Sequence, residues 1–288
     1  MPFEADALKA YAVPEAHQRL TPEACLLYAA SLGCGDAPAD RRFVRGGGDL
    51  VPFPTMANVL ASPGFWLMDP ATGIDWPRVL HGEQAVTLHR PLAVNQAFVG
   101  RTRVVGVNDR GPDRGVHVYL RREVSDAATG DPVCTVEETF ICRADHGAGG
   151  SDPPPRRPHA TPDRAPDHVV DLPTAANAAL LYRLNGDWNP LHVDPEVARA
   201  GGFERPILHG LCTFGVAGRA VLRACPDIDP ARIGAMAVRF AAPVFPGDTI
   251  RTEIWRDGEV ISFRASVAER GETVLTNGRI EMVNTPSS

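Results

Sequence analysis

Residues 144–168 break the chain in two. They read ADHGAGGSDPPPRRPHATPDRAPDH, with six prolines, four of them between Pro153 and Pro158, after a glycine-rich start. Proline has no backbone N–H and a fixed φ, so neither a helix nor a central strand runs through such a segment. It reads as a linker between an N-terminal half, 1–143, and a C-terminal half, 169–285. Each half has the size of an ordinary domain.

The halves repeat one another in weak but ordered steps. Ala24-Cys25-Leu26-Leu27-Tyr28 leads to Gly33, as Ala178-Ala179-Leu180-Leu181-Tyr182 leads to Gly186. An apolar-His-Gly step follows in each, Val79-Leu80-His81-Gly82 and Ile207-Leu208-His209-Gly210. A proline then precedes a strand, at Pro91 and Pro243, and a glycine precedes a Thr-containing β-run, at Gly100 and Gly247. The pattern points to a duplication.

In the C-terminal half, Thr174 is placed to N-cap a helix through Leu184, with Asn185-Gly186 as its left-handed stop. Ile207 to Ala224 has helical apolar spacing and few charges, which predicts a buried helix. Alternating runs follow at Met236–Phe240, Thr249–Trp255, Val260–Val267 and Thr273–Met282, punctuated by Asp257-Gly258 and Arg270-Gly271. The N-terminal half ends in the same way, at Ala85–His89, Ala97–Val107, Gly115–Ser125 and Val133–Arg143. The expected class is α+β, an antiparallel sheet wrapped around a central helix in each half.

Composition narrows the function classes. Hydrophobic residues make up 44% and charged residues 22% of 288 residues, so the chain can bury a sizeable core. Net charge is −6, which speaks against a nucleic-acid partner. Arginine and alanine are abundant and Lys9 is the single lysine, as in a GC-rich bacterial genome. Cys25, Cys34, Cys134, Cys142, Cys212 and Cys225 form neither a CxxC pair nor a zinc spacing. Scattered thiols, and an N-terminus from Met1 to Tyr11 with Glu4 and Asp6 and no apolar stretch, predict a cytoplasmic protein without an export signal. Pro206 to Gly218 is too short to span a bilayer, so no membrane insertion is expected. Pro286-Ser287-Ser288 matches no peroxisomal or lipid signal.

The chemistry concentrates in YRLNGDWNPLHVD, Tyr182 to Asp194. Asp187, Asn189 and His192 fall within six residues on a stretch stiffened by Pro190. A carboxylate beside an imidazole is the usual pair for moving protons near neutral pH. Gly210 then opens the predicted buried helix. The first N–H groups of a helix have no partner within it and sit at its positive end. Glycine lets a ligand approach that backbone closely, so Gly210 N–H is suited to hold an oxyanion. Plainer readings exist. Gly-Asp-x-Asn-Pro is good turn chemistry, His209 and His81 read as structural histidines, and His192, Asp194 and His209 lack a further ligand at metal spacing.

The run YRLNGDWNPLHVDPEVARAGGFERPILHGLCTFG resembles the signature of the hydratase 2 (MaoC-like) family, the (R)-specific enoyl-CoA hydratases of the hot-dog fold. Tyr182, Leu184, Gly186, Asp187, Asn189, Pro190, Leu191, His192 and Ala198 fit the pattern, and Asn185 departs from it. The whole chain, with two similar halves and a linker, resembles the double hot-dog members. The resemblance implies hydration of a trans-2-enoyl-CoA to a (3R)-3-hydroxyacyl-CoA, or the reverse dehydration. It assigns Asp187 and His192 to proton handling, Asn189 to orienting them and the water, and Gly210 N–H to the thioester oxygen. It implies no metal and no cofactor beyond the coenzyme A of the substrate. It also implies a homodimer, with a monomer as the alternative, because two hot-dog units can pair within one chain.

The N-terminal half has Asp36 but no Asn-Pro-aliphatic-His after it, so a single active site is expected. The resemblance gives this half the role of making room for the acyl chain, with Phe53, Met56, Phe65 and Trp66 as lining candidates. Two rival functions remain, a non-catalytic acyl-CoA-binding hot-dog protein and a hot-dog acyl-CoA thioesterase.

Overall fold

A computed structural model describes residues 3–35 and 37–283; Asp36 and the Pro286–Ser288 tail of the sequence reading lie outside the described residues. The N-terminal half carries helices α1 (Ala5–Lys9), α2 (Pro22–Ser31) and α3 (Arg41–Val44) and strands β1 (Ala16–Arg19), β2 (Val79–Leu88), β3 (Ala97–Asp109), β4 (Val116–Asp126) and β5 (Pro132–Cys142). The C-terminal half carries β6 (His168–Pro173), α4 (Ala178–Tyr182), α5 (Pro195–Ala200), α6 (Gly210–Ala224), β7 (Ile233–Phe240), β8 (Thr249–Asp257), β9 (Val260–Val267) and β10 (Thr273–Met282).

The strands form one ten-stranded sheet in the order β1-β3-β4-β5-β2-β7-β10-β9-β8-β6. The order reads as the same five-strand pattern twice, joined where β2 pairs antiparallel with β7 from Glu83↔Arg239 to Thr87↔Ala235. Alternation along each strand turns one face inward. Along β3, for example, Thr102 and Val104 are buried while Arg101, Arg103 and Val105 are exposed. The inward face of the C-terminal half wraps α6, whose residues from Leu211 to Leu222 are all buried. One core runs through both halves and includes Tyr28, Phe53, Tyr182, Phe214 and Phe263.

The halves differ in the interval before β2 and β7. The C-terminal half fills it with α5 and the 15-residue α6, whereas the N-terminal half has the four-residue α3 and short 3-10 turns, among them Pro54–Asn58. The His-Gly step is therefore not equivalent in the two halves. His209-Gly210 begins α6, but His81-Gly82 lies inside β2, which pairs with β5 and β7. Thr174 does not cap α4. That helix starts at Ala178 after Asn177, and the Thr174 hydroxyl instead donates to the Asp248 carbonyl at 2.8 Å.

The Pro-rich segment crosses the outer face of the sheet in extended form. Asp152 accepts from Val107 N at 2.9 Å, Arg156 pairs with Glu137 at 2.9 Å, and His159 meets Ser262 Oγ at 2.7 Å. Between the halves, Arg219 of α6 donates to Asp40 at 2.6 and 3.0 Å and to the Leu32 carbonyl at 3.2 Å. No helix among the described residues is long and apolar enough to cross a membrane.

Candidate active site

A cavity of about 560 Å³ opens between the two halves, lined by Asp187, Asn189, His192 and Gly210 from one side and by Phe65, Trp66, His81 and Phe140 from the other. That size suits an extended organic ligand.

Local sequence explains how Asp187 comes to face it. After α4 the chain makes a 3-10 turn over Arg183–Asn185 and reverses at Gly186, whose φ of 107° is closed to most side chains. Asn185, the departure from the family pattern, holds that turn. Its Nδ2 donates to the Tyr182 carbonyl at 3.0 Å and to Ser31 Oγ at 3.1 Å, which ties the turn to α2. Asp187 Oδ1 accepts from Asn189 N at 3.3 Å. Asn189 Oδ1 in turn caps the turn Pro190–His192 through Leu191 N at 3.1 Å. The amide oxygen is thereby used, so the Asn189 side chain offers a ligand its N–H groups.

His192 Nδ1 donates to the Ile207 carbonyl at 2.9 Å, an assignment fixed by the acceptor, which leaves the lone pair on Nε2. His209 donates from Nε2 to the Asp187 carbonyl at 3.3 Å and stacks on His192 with ring centroids 3.7 Å apart. His209 thus supports both Asp187 and His192. The carboxylate and the two imidazoles have donor atoms within 4.8 Å of one another, the one cluster of metal-ligating types found among the described residues. Two ring nitrogens of that cluster are already engaged by the Ile207 and Asp187 carbonyls.

Burial sets the charge states. It pushes the His192 imidazole below its usual range against the opposing pull of Asp187 and the Ile207 carbonyl. Burial and the neighbouring His192 push His209 down to about 3. Burial raises the Asp187 carboxyl, but His209, His192, the Asn189 N–H and His81 outweigh it, and the net direction is down. At neutral pH the site holds an ionised carboxylate and neutral imidazoles.

Gly210 is the first residue of α6, with His209 as N-cap. A Cβ there would stand 3.0 Å from the Phe240 ring, so glycine keeps the backbone N–H at the cavity wall.

The four acyl-lining candidates divide. Phe65 and Trp66 line the cavity. Phe53 and Met56 do not. Phe53 packs in the core against Phe43 and Tyr28, with ring centroids at 4.7 and 6.4 Å, and Met56 is buried in the same cluster. Phe53 is the N-cap of the 3-10 turn Pro54–Asn58 and Met56 lies within it, both 1% exposed.

His81, read from the sequence as a structural histidine, also reaches the cavity. The register of β2 against β5 shifts between His81 and Glu83, a bulge at Gly82. A Cβ at Gly82 would come within 2.9 Å of Ile141, so glycine permits the bulge. The His81 ring lies on the cavity wall between Phe140 and Phe240, at 4.8 and 4.9 Å. Asn58, Arg122 and Glu138 also line the cavity. No motif marks them, because single polar residues on strands, such as Arg122 and Glu138, or on turns, such as Asn58, usually face solvent.

Comparison with known proteins decides the family. Residues 19–144 match the MFE-2 hydratase 2 N-terminal domain, and residues 158–278 match the MaoC like domain. A Mycobacterium tuberculosis protein named 3-hydroxyacyl-thioester dehydratase Y is 39% identical over 90% of this chain and 91% of its own. The chain belongs to the MaoC-like hydratase 2 family. A Dictyostelium discoideum protein named probable enoyl-CoA hydratase 2 is 38% identical, covering 90% of each chain. The mouse peroxisomal multifunctional enzyme type 2 is 36% identical over 90% of this chain, which spans 36% of that longer protein. The crystal structure of a MaoC-like dehydratase from Phytophthora capsici superposes with a TM-score of 0.83 at 31% identity, covering 97% of this chain and 99% of the other. The architecture is the double hot-dog of this hydratase 2 family, with the Asp187–His192 segment in its MaoC-like half.

Proposed function

We propose that this protein is a hydro-lyase that adds water reversibly to C3 of a trans-2-enoyl-CoA, giving the (3R)-3-hydroxyacyl-CoA. The observation that carries this is the meeting of Asp187, His192 and the Gly210 N–H in one cavity. Family membership, and relatives named for enoyl-CoA hydration and for dehydration of 3-hydroxyacyl thioesters, support the same reaction.

The charge states dictate the proton path. With Asp187 ionised and His192 neutral, the pair is ready to take a proton and has none to deliver into the cavity. The water therefore supplies both parts. Its oxygen bonds to C3 as one of its protons passes to the Asp187–His192 pair. The C2–C3 π electrons move onto the thioester oxygen as an enolate, held by Gly210 N–H and the α6 dipole. The same proton then returns to C2, the thioester carbonyl re-forms, and the pair regains its resting state. Dehydration runs these steps backwards. No step calls for a redox change or a cofactor beyond the coenzyme A carried by the substrate.

The proposal extends to the setting. The N-terminal half takes the acyl chain between Phe65, Trp66 and the neighbouring wall, as part of fatty-acid or related acyl-CoA metabolism, including β-oxidation. All six cysteines are unpaired, which supports a reducing bacterial cytoplasm. Leu180, Leu184 and Trp188 are half or more exposed beside the site, which supports a homodimer.

The test is loss of enoyl-thioester absorbance with trans-2-enoyl-CoAs of graded length, with product chirality assigned. Asp187→Asn and His192→Ala should each lower turnover by about 10²–10⁴-fold while the protein stays folded. Near-normal turnover in either variant would remove that residue from the mechanism. Release of free coenzyme A, seen with a thiol reagent, would make the protein a thioesterase.

A further inference from the structure

The inner face of the N-terminal sheet is polar where an acyl chain would be expected to meet hydrocarbon. Thr102 of β3 pairs in register with Arg122 of β4, and Glu138 of β5 pairs with Gln84 of β2. Arg122, Gln84 and Asn58 are each 1% exposed, and Glu138 is 9% exposed. Around them the same face is apolar, with Val86, Leu120, Val124 and Val136 fully buried. Asn58 ends the 3-10 turn that stands where the other half has α6. Its Oδ1 accepts from Gln84 Nε2 at 3.0 Å, and its carbonyl accepts from Arg122 Nη2 at 2.5 Å. The Arg122 guanidinium meets Glu138 at 3.9 Å.

These bonds do not satisfy the cluster. Arg122 Nε, Asn58 Nδ2, Gln84 Oε1 and Thr102 Oγ1 are all buried without a partner. Buried polar atoms are normally paired, and leaving them bare is costly. Asn58, Arg122 and Glu138 line the cavity that also holds Asp187 and Gly210. The phosphates of coenzyme A stay in water, so a group buried as deeply as Arg122 meets the acyl moiety.

We propose that this cluster is a distal subsite for a hydroxyl group on the acyl chain, so that the preferred substrates are hydroxylated acyl-CoA thioesters and not plain alkyl ones. Of the residues that line the cavity, Arg122 and Asn58 offer unpaired donors and Glu138 offers carboxylate oxygens as acceptors, whereas Gln84 and Thr102 are not part of the lining. A hydroxyl both accepts and donates, and so can pair with each kind. A carboxylate would bring a second negative charge beside Glu138, whose countercharge Arg122 is already shared. A methyl terminus leaves the unpaired donors of the cluster bare. The inference rests on the acyl-CoA reading above, but not on the hydration step.

Binding of saturated acyl-CoA thioesters, which have no double bond to hydrate, separates the two. Titration calorimetry on the full chain would compare pairs of equal length, one ending in methyl and one in a primary alcohol, from short to long. Short pairs should bind alike. At the length that reaches Arg122, the alcohol should bind about tenfold or more tightly, since a site with buried polar groups rejects an analogue that cannot pair with them, and water can substitute only in part. Arg122→Met and Asn58→Leu should each shrink that ratio, whatever they do to overall affinity. Equal or weaker binding of the alcohol at every length overturns the subsite, and this comparison needs only the unmodified protein. A preference that survives both substitutions overturns the residue assignment. Failure of every thioester to bind overturns the acyl-CoA reading itself, whereas binding without turnover of enoyl-CoAs overturns hydration alone.

Discussion

Replacing Gly210 by proline removes one N–H and puts a pyrrolidine Cδ on the nitrogen in its place. Gly210 is the first residue of α6, where proline's missing N–H would have had no helical partner. The preceding His209 sits at φ −55° and ψ 132°, the extended geometry that a following proline requires. The substitution also adds a Cβ, which would meet the Phe240 ring at 3.0–3.4 Å, so that ring must give by a few tenths of an ångström. Gly210→Ala adds the same Cβ and keeps the N–H, which makes it the control. Loss of one oxyanion donor typically costs about 10²–10³ in kcat, ~2.7–4 kcal/mol of transition-state stabilisation. Steady-state hydration of an enoyl-CoA should therefore show Gly210→Pro slower than Gly210→Ala by about that factor, with KM changed far less. Both variants should melt close to the parent. If the proline and alanine variants turn over at the same rate, the Gly210 N–H does not hold the oxyanion and the helix N-terminus has no part in the chemistry.

Three further outcomes follow from the same geometry. The active form needs His192 neutral and Asp187 ionised, and both titrate below their usual ranges. The kcat/KM profile should thus be flat above neutrality and fall on the acid side with a midpoint below about 6.5; a midpoint above that value contradicts the assigned charge states. His209 titrates near 3 when folded against 6.5 when free, so in between only the unfolded chain takes the proton. Its contribution is complete above 6.5 and is lost as pH falls towards 3, by about 1.4 kcal/mol per unit. Denaturant titrations of His209→Gln should show a correspondingly shallower decline, and an unchanged slope would refute the assignment. Arg219→Met would leave the Asp40 carboxylate, 1% exposed, without its cation, and should cost about 3–5 kcal/mol in chemical denaturation. A loss under about 1 kcal/mol would show that water reaches Asp40.

Much of the meander was legible because its signals are local. β9 and β10 begin and end where the alternation and the Asp257-Gly258 and Arg270-Gly271 turns place them, and both glycines take positive φ. The buried helix was legible from the helical spacing of Ile207–Ala224, but α6 begins three residues later, at Gly210, where the His209-Gly210 step marks it. β2 was not: it begins at Val79, ahead of the Ala85–His89 run, because the bulge at Gly82 interrupts the alternation that marks a strand. The shared apolar-His-Gly step failed for a related reason. The same residues start a helix when the chain behind them turns into the core, and extend a sheet when partners stand on both sides, as β5 and β7 do for β2. Apolar residues likewise do not say which cavity they face. Phe65 and Trp66, at the 3-10 turn Trp66–Met68, line the site, while Phe53 and Met56, at the turn Pro54–Asn58, lie in the core.

The proposed catalytic set, Asp187, Asn189, His192 and Gly210, comes from one half, but the cavity it lines belongs to both. The Asp187 turn is pinned through Asn185 to Ser31 of α2, and α6 is pinned through Arg219 to Asp40 and Leu32. Arg42 donates to the Ile228 carbonyl at 3.2 Å and Arg143 to the Gly201 carbonyl at 2.7 Å, so ties run from each half to the other. The C-terminal sheet wraps α6, and its strands also give the cavity Phe240, Val274 and Leu275. The N-terminal sheet has short turns in that interval. The cavity next to Gly210 thus draws on one half with the long helix and one half with short turns in its place.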